Sequence, residues 1–319
     1  MHNAVECNSA ALAPASLNDL LGTFSIDEFF ENYWTQQFLN LPSDFNRFAE
    51  LCSWNQVNEI LTTHTIAPST IRLIKAGVRV PSERFIDNSK PDIPRIRPKH
   101  LLHFLSSGAM LTLNHIEAAH KPISVLAQSL ERTFQSPVVG VFCANFRSDR
   151  GLDLHWDDQE VFVLQIEGRK HWKVYQPTTP YPCWNNETSK AYPTDAPVFD
   201  GILEAGSLLY MPRGWWHVAE PLNEPSLHLS LGIKRPSGAD LIQWVGEQMK
   251  HYVSGRRDIP HYRQNGMQAA FLEDLRSEFD RIWNGDLIEM FLRDYSERCL
   301  THPSVALPEL TTPRNDDLS

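Results

Sequence analysis

The sequence lacks the cysteine pattern of disulfide-rich and zinc-binding proteins. Its five cysteines, Cys7, Cys52, Cys143, Cys183 and Cys299, are widely spaced and include no CxxC pair. An odd, scattered set of this kind argues against a disulfide framework and against a zinc site built from cysteine pairs. We therefore expect reduced thiols and a cytoplasmic location.

Long apolar runs and an excess of basic charge are also missing. No stretch reaches the roughly 18 to 20 unbroken apolar residues of a membrane span, and no basic segment followed by an apolar block begins the chain. We expect neither membrane insertion nor a secretory signal. The formal net charge of −10 disfavours direct nucleic-acid binding, which needs a basic surface. It is compatible with a basic protein or peptide partner, although many soluble proteins are equally acidic.

The sequence pattern divides the chain into three regions. Residues 1–24 are rich in Ala, Pro and Ser and predict a poorly ordered leader. Residues 25–235 predict one domain, in which helices precede a β-rich part. Residues 236–319 predict a helical region with a loose tail over its last dozen residues.

Helices dominate the predicted elements before residue 138. Ser25 and Glu28 predict a capping box that opens a helix with an apolar stripe, and Ser53 and Gln56 repeat the device. The stretch "PISVLAQSLERTF" predicts a further helix that begins near Pro122. Residues 70–100 alternate short β-like runs with prolines and predict strands and loops.

Short apolar runs separated by turn residues fill residues 138–235. Examples are "VVGVFCANF", "EVFVLQIE", "GSLLYMP" and "SLHLSLGI". Their β-branched, aromatic and leucine content predicts an antiparallel sandwich or barrel.

One motif in this β region predicts a metal site. His155 and Asp157 are two residues apart, so on an extended segment their side chains point to the same face. His217 follows much later, after a strand and a Pro-Arg-Gly turn. A lone strand-end histidine is more often packed or solvated than a ligand, and an H-x-D pair alone is a weak signal. Together, two histidines and a carboxylate form the triad that holds non-haem Fe(II) and leaves three positions open.

The open positions suit a chelating co-substrate and O2. The 2-oxo-acid end of 2-oxoglutarate would take two positions and O2 the third, and its far carboxylate would need a cation some distance away. Lys170, across the "EGRK" turn from His155, is a candidate, with Arg169 and Lys173 as rivals. Spacing alone leaves the choice among the three open.

Two longer segments resemble the cupin-like JmjC oxygenases, the group that contains the ribosomal oxygenases. They are "LHWDDQEVFVLQIEGRKHWKVY" and "LEAGSLLYMPRGWWHVAEPLNEPSLHLSLGI", and "SIDEFFENYWTQQFLNLP" and "GAMLTLNHIEAAHKPISVLAQSL" extend the resemblance over most of the chain. It implies a mainly β fold with flanking helices (α+β), in which the core is a double-stranded β-helix, or jelly roll.

The resemblance also implies roles for particular residues. His155, Asp157 and His217 match the iron ligands, and Lys170 matches the residue that holds the far carboxylate of 2-oxoglutarate. His228 matches a strand position that faces the co-substrate pocket. Where relatives often carry Tyr or Asn near the co-substrate, this sequence has Cys143, with Asn145 as the nearest polar candidate.

The implied activity is hydroxylation of a side chain on a protein or peptide, for example a basic ribosomal protein. The reaction uses Fe(II) as cofactor and consumes 2-oxoglutarate and O2 to give succinate and CO2. The alternatives are a hydroxylase of a free amino acid or small metabolite, an N-methyl demethylase, and a noncatalytic binding module. Some ribosomal oxygenases carry a winged-helix domain after a helical dimerisation region, and residues 236–319 are too few for both. We expect the C-terminal helices to form a homodimer.

Overall fold

The computed structural model describes residues 13–45, 47–63, 69–90, 94–183, 191–261 and 265–299. Its helices are α1 (Leu17–Leu21), α2 (Ile26–Asn32), α3 (Trp54–Thr63), α4 (Pro98–Ser106), α5 (Lys121–Phe134), α6 (Gly238–Met249), α7 (Val253–Arg256), α8 (Asn265–Ile282) and α9 (Leu287–Cys299). Its strands are β1 (Leu39–Leu41), β2 (Ile71–Lys75), β3 (Val78–Val80), β4 (Ile86–Asp87), β5 (Arg95–Ile96), β6 (Met110–Asn114), β7 (Val138–Asn145), β8 (Glu160–Glu167), β9 (Lys170–Tyr175), β10 (Phe199–Leu203), β11 (Leu208–Met211), β12 (Trp216–Pro221) and β13 (Ser226–Ile233).

Two antiparallel sheets form the predicted jelly roll. The larger sheet has the order β1-β11-β8-β13-β7-β6-β2-β3, and the smaller one has the order β10-β9-β12. Consecutive strands β8 and β9 lie in different sheets, and so do β11 and β12, so the chain crosses repeatedly between the two layers. This crossing confirms the double-stranded β-helix fold.

The central strand β8 is buried on both faces, which explains its unbroken apolar sequence. Phe162 and Leu164 point into the main core, where the N-terminal helices cover the larger sheet. Val161 and Val163 point the other way, into a smaller apolar cluster between the two sheets. The space between the sheets is therefore the place where inward side chains of β8 and β9 meet.

The predicted disordered leader is wrong for the part that the structure describes. Ser16 caps α1 by accepting a hydrogen bond from the backbone N–H of Asp19. Leu17, Leu20 and Leu21 are buried in the main core. A short polar and apolar segment thus gains its order from tertiary packing, which composition does not report. Residues 1–12 lie outside the described residues.

Two other helices differ from the sequence prediction. Helix α2 starts at the predicted cap, where Ser25 accepts from the backbone N–H of Glu28. It ends at Asn32, although the apolar stripe of the predicted helix ran on to Tyr33 and Trp34. Helix α4 begins inside the segment 70–100, which was predicted as strands and loops, and overlaps it over residues 98–100. Pro98 takes its first position, where a proline loses no helical hydrogen bond.

The C-terminal helices have a small core of their own. Trp244, Val245, Ile282, Leu287 and Phe291 are buried against one another. The hydroxyl of Tyr295 donates to the backbone carbonyl of Lys234 and links this bundle to the end of β13. None of the described helices has the length and apolar content to cross a bilayer. The predicted loose tail lies outside the described residues.

The turn between β8 and β9 generates a stability prediction. Gly168 has a φ of +64°, and a Cβ there would lie 2.1 Å from the carbonyl oxygen of Pro225. Gly168→Ala should lower the free energy of unfolding by about 1–3 kcal/mol, because it adds strain and a backbone clash. Urea denaturation measures the change. Gly238→Ala is the matched control, since no heavy atom lies within 4 Å of its Cβ; equal stability of the two variants would contradict the prediction.

Candidate active site

Backbone pairing brings His155 and His217 together. The two residues form an isolated antiparallel bridge, in which the N–H of His155 donates to the carbonyl of His217 at 3.1 Å and the reverse bond is 2.7 Å. Their imidazole ring centroids are 4.3 Å apart. Residues 62 positions apart in the sequence thus present their side chains side by side.

Hydrogen bonds set the tautomer of both imidazoles. Nδ1 of His155 lies 2.7 Å from the carbonyl oxygen of Asp153, and Nδ1 of His217 lies 3.1 Å from that of Trp215. A carbonyl oxygen only accepts, so each Nδ1 carries the proton and each Nε2 keeps a free lone pair. Burial, with a smaller effect of His155, lowers the pKa of His217 to about 4. His217 is therefore neutral at pH 7, as a metal ligand must be.

Asp157 completes a cluster that suits a divalent cation. Its Oδ2 lies 3.6 Å from Nε2 of His217, and the candidate ligand atoms of His155, Asp157 and His217 all lie within 4.8 Å of one another. The backbone carbonyl of Asp157 accepts from the N–H of Gly214 at 2.9 Å, which ties the H-x-D segment to the turn before β12. Two imidazoles and one carboxylate on one side of a cavity are the donor set of a facial triad.

The cluster lies at one end of a cavity of about 290 Å³ between the two sheets. Inward side chains of β9, β12 and β13 form its walls, including Lys170, Trp172, Ala219 and His228. The ring of Trp172 stacks on that of His217, with 6.1 Å between the ring centroids. It meets the ring of His228 edge-on, with 5.3 Å between the centroids. Trp172 thus spans the distance between the metal cluster and the inner end of the cavity.

Lys170 is the buried cation at that inner end. It is 1% exposed, and its Nζ donates to Oδ1 of Asn145 at 2.7 Å and lies 3.1 Å from Nδ1 of His228. Burial lowers the pKa of Lys170 to about 8 and, together with the Lys170 charge, holds the pKa of His228 well below its usual value. The neutral His228 therefore accepts from the ammonium. These two partners use two of its three N–H groups.

Several buried polar atoms in the cavity have no hydrogen-bond partner among the described residues. They are Nδ2 of Asn145, Nε1 of Trp172 and Oγ1 of Thr112. A buried donor without a partner costs about 1–3 kcal/mol, so a ligand rich in acceptors would be stabilised here. With Asp157 as the one carboxylate in the described lining, the cavity suits an anion that reaches from the metal cluster to Lys170.

Sequence reasoning missed Thr112 and Trp172. Trp172 could have been found, because it is two residues after Lys170 on a strand and so faces the same side. Thr112 could not, because its place depends on the pairing of β6 with β7, which sets it opposite Cys143. Cys143 itself lines the cavity, and burial raises the pKa of its thiol to about 11, so it stays protonated.

The two rival cations have other partners on the outside of the barrel. Arg169 forms a two-bond ion pair with Glu224, at 3.0 and 3.1 Å. Lys173 lies 3.4 Å from the carboxylate of Glu220. Of the three cations that the sequence left open, Lys170 is the one in the cavity.

A larger cavity of about 1430 Å³ lies on the opposite face of the larger sheet. Leu111 lines it, whereas the neighbouring Met110 and Thr112 line the cavity with the metal cluster. Its walls come mainly from apolar residues of α3 and α4. The described lining contains one histidine, His103, and no carboxylate, so it lacks the donor set for a metal ion.

Much of the chain is similar in sequence to known proteins. Residues 115–241 match the JmjC domain model. The chain is 27% identical over 268 residues to the "Bifunctional lysine-specific demethylase and histidyl-hydroxylase NO66" of Drosophila mojavensis, covering 79% of this chain and 29% of the relative. It is 30% identical over 196 residues to the "Ribosomal oxygenase 1" of Danio rerio, covering 58% and 36%. The chain thus spans well under half of the length of these relatives.

The fold has a solved counterpart in a bacterial protein. The Escherichia coli ribosomal oxygenase YcfD, determined with cobalt and 2-oxoglutarate, superposes with a TM-score of 0.60 over 91% of this chain and 75% of that one, at 18% identity. This similarity supports the jelly-roll architecture. Residues 115–241 are thus similar to JmjC domains, and the chain shares the fold of this solved structure.

Proposed function

We propose that this protein is an Fe(II)- and 2-oxoglutarate-dependent oxygenase that hydroxylates a side chain of a protein or peptide. The observation that carries the proposal is the single cavity that joins the His155, Asp157 and His217 cluster to the buried Lys170. A metal at one end and a cation at the other match a dicarboxylate co-substrate whose two ends need different partners.

His155, Asp157 and His217 would hold the metal through two neutral nitrogens and one carboxylate oxygen. When bound, Fe(II) with 2-oxoglutarate and O2 supplies oxidative decarboxylation to succinate and CO2, coupled to hydroxylation of a C–H bond. The protein would hold the metal and the co-substrate in position. The bridge between His155 and His217 fixes the ligand spacing, and the surrounding strands bury Lys170 and His228 at the inner end of the cavity.

Lys170 would bind the far carboxylate of the co-substrate. Its remaining N–H group and the free Nδ2 of Asn145 supply two donors at the same end. His228 would hold the ammonium in place by accepting one of its protons. Such charge-assisted hydrogen bonds are stronger in a buried site than in water.

The residues that the structure describes at the mouth of the cavity favour a substrate whose hydroxylated side chain carries no charge. Asn114, Gln159 and Ser230 provide neutral polar groups, and Arg72 provides a positive charge. A methylated lysine would bring a second cation to this rim without a carboxylate other than Asp157 to pair with it. We therefore favour hydroxylation over N-methyl demethylation, although the names of the insect relatives include both activities.

The metal ligands generate the first activity prediction. Asp157→Ala removes the only anionic ligand, and His217→Ala removes a ligand from the second strand. Both variants should lose 2-oxoglutarate turnover and tight Fe(II) binding while keeping the fold. Succinate release under Fe(II) and O2, metal titration and circular dichroism measure the three properties. Near-normal succinate production by either folded variant would show that the triad is assigned wrongly.

Lys170→Ala should weaken co-substrate binding without disturbing the metal. Loss of a buried charge-assisted hydrogen bond costs about 1.5–3 kcal/mol, so the KM for 2-oxoglutarate should rise roughly 10- to 150-fold. Fe(II) affinity should stay the same. Lys173→Ala is the matched control, because this neighbouring lysine lies outside the cavity. An unchanged KM in Lys170→Ala would move the role to another cation.

The pKa of Lys170 predicts a pH dependence. Since burial lowers it to about 8, the ammonium is charged below that pH and loses its proton above it. The kcat/KM for 2-oxoglutarate, which reports the free enzyme, should therefore fall by about tenfold per pH unit well above pH 8. Steady-state assays from pH 6.5 to 9.5, with Fe(II) affinity measured in parallel, test this. A flat profile up to pH 9.5 would contradict it.

We also propose that the protein is cytoplasmic and forms a homodimer through its C-terminal helices. Packing within the bundle buries only part of the apolar surface of these helices. Leu272 is 62% exposed, Ile288 is 61% exposed and Trp283 is 48% exposed. Large exposed apolar patches are uncommon on monomers, and a second copy would cover this one.

Light scattering on the purified chain tests the dimer. A mass near 73 kDa, twice the 36.5 kDa of one chain, is expected at micromolar concentration. Replacing Leu272 and Ile288 together by Glu should convert this species to monomers, because two charges would enter an apolar interface. The matched control places Glu at Val78, an exposed residue of β3. A mass near 36 kDa for the unmodified protein would rule the dimer out.

A further inference from the structure

A second polar cavity of about 270 Å³ lies beside the metal end of the barrel. Side chains that face it include those of Thr35, Asp158, Glu160, Tyr181, Arg213 and Arg235. We call it the arginine cavity. Its volume fits one small charged group with a few attached atoms, and it is separate from the cavity that contains Lys170.

The two arginines supply the positive charge of the arginine cavity. The Cζ atom of Arg213 lies over the ring of Tyr181, 5.6 Å from its centroid, and that of Arg235 lies over the ring of Trp34, 5.7 Å from its centroid. Both guanidinium groups attract the carboxylate of Glu160 without a direct ion pair in the described part of the chain. A guanidinium that lies over a ring keeps its in-plane N–H groups available, and these form the fork that recognises carboxylate and phosphate oxygens.

The acidic groups of the arginine cavity already have partners. Asp158 is 5% exposed and forms an ion pair with Lys234. Glu160, also 5% exposed, accepts from the hydroxyl of Tyr210 at 2.5 Å. Tyr210 in turn accepts from the backbone N–H of Thr35 at 2.8 Å. Glu160 also accepts from the backbone N–H of Arg213 and attracts both guanidinium groups. These bonds hold both carboxylates in place, and the guanidinium N–H groups of Arg213 and Arg235 form no hydrogen bond in the described part of the chain.

Two residues that line the arginine cavity have a strained backbone conformation. Thr35 has a φ of +62° and Tyr181 a φ of +46°. Non-glycine residues rarely adopt this left-handed conformation, and a β-branched residue such as Thr35 does so least readily. Strained residues persist where the surrounding structure holds them and are often found at binding sites. Two strained residues facing one small cavity therefore point independently to a ligand.

The arginine cavity is close to the metal cluster along the chain. Asp158 and Glu160 face it, whereas Asp157 and Gln159 face the metal cavity. Arg213 precedes Gly214, whose N–H bonds to the carbonyl of Asp157. The two cavities thus lie on opposite faces of the same sheet, next to each other at one end. A ligand that crosses this end of the sheet can contact both.

We propose that the arginine cavity binds an oxyanion, a carboxylate or phosphate group of a ligand distinct from 2-oxoglutarate. Arg213 and Arg235 are the binding residues, and each contributes in-plane N–H donors. Tyr181 and Trp34 hold the guanidinium planes in position. The site requires neither metal nor co-substrate, so it is independent of the proposed oxygenase activity.

The test observes the arginine side chains directly. The full chain, labelled with 15N-arginine, is titrated with inorganic phosphate or with N-acetyl-aspartate methylamide at constant ionic strength. The Nε–Hε signals of Arg213 and Arg235, assigned with the Arg213→Lys and Arg235→Lys variants, should shift and saturate together. Tighter binding of the aspartate derivative would identify a peptide carboxylate as the source, and tighter binding of phosphate would identify a phosphorylated ligand.

Two controls separate this site from general anion binding. Arg79, exposed on β3 and outside both cavities, should not shift. Arg213→Gln should weaken binding about tenfold or more, because one charge-assisted hydrogen bond changes an equilibrium constant by about that factor. Unchanged 1H NMR signals of the tyrosine and tryptophan side chains would show that the variant is folded. Absence of saturable shifts with both probes, or equal shifts of all exposed arginines, would overturn the proposal.

Discussion

The antiparallel bridge between His155 and His217 is the interaction on which the site depends. It is only one residue pair wide, yet its two backbone hydrogen bonds join the H-x-D segment to β12. The carbonyl groups that orient each Nδ1 belong to residues two positions earlier in the same segments. Ligand spacing and ligand tautomer are therefore fixed by the same local backbone geometry.

The second constraint is the burial of Lys170. An ammonium group removed from water needs several acceptors, and here the neutral Asn145 and His228 provide them without cancelling its charge. A carboxylate at either position would have formed a stable pair and left nothing for a ligand. The neutral partners keep the charge available, and burial lowers the pKa of Lys170 to about 8.

Sequence patterns were sufficient where chemistry or periodicity was local. The spacing of short apolar runs predicted an antiparallel sandwich or barrel, and the family resemblance narrowed this to a jelly roll. The metal cluster was predicted from His155, Asp157 and His217. Sequence patterns failed for residues whose position depends on contacts with residues far away in the sequence. Helix α1 is stabilised by leucines that pack in the main core. Thr112 lines the cavity because of the register of β6 with β7. Neither contact leaves a signal within a short window of sequence.

The separate apolar core of the C-terminal helices has a consequence for cooperativity. Trp244, Ile282 and Phe291 pack with one another and belong to a cluster distinct from the main core of the barrel. Cooperative unfolding requires that loss of one part of a structure removes most contacts of the other. Because the two cores are distinct, the bundle can unravel while the barrel keeps its sheets. Heating should therefore melt the protein in two steps, and a single midpoint temperature would not describe it.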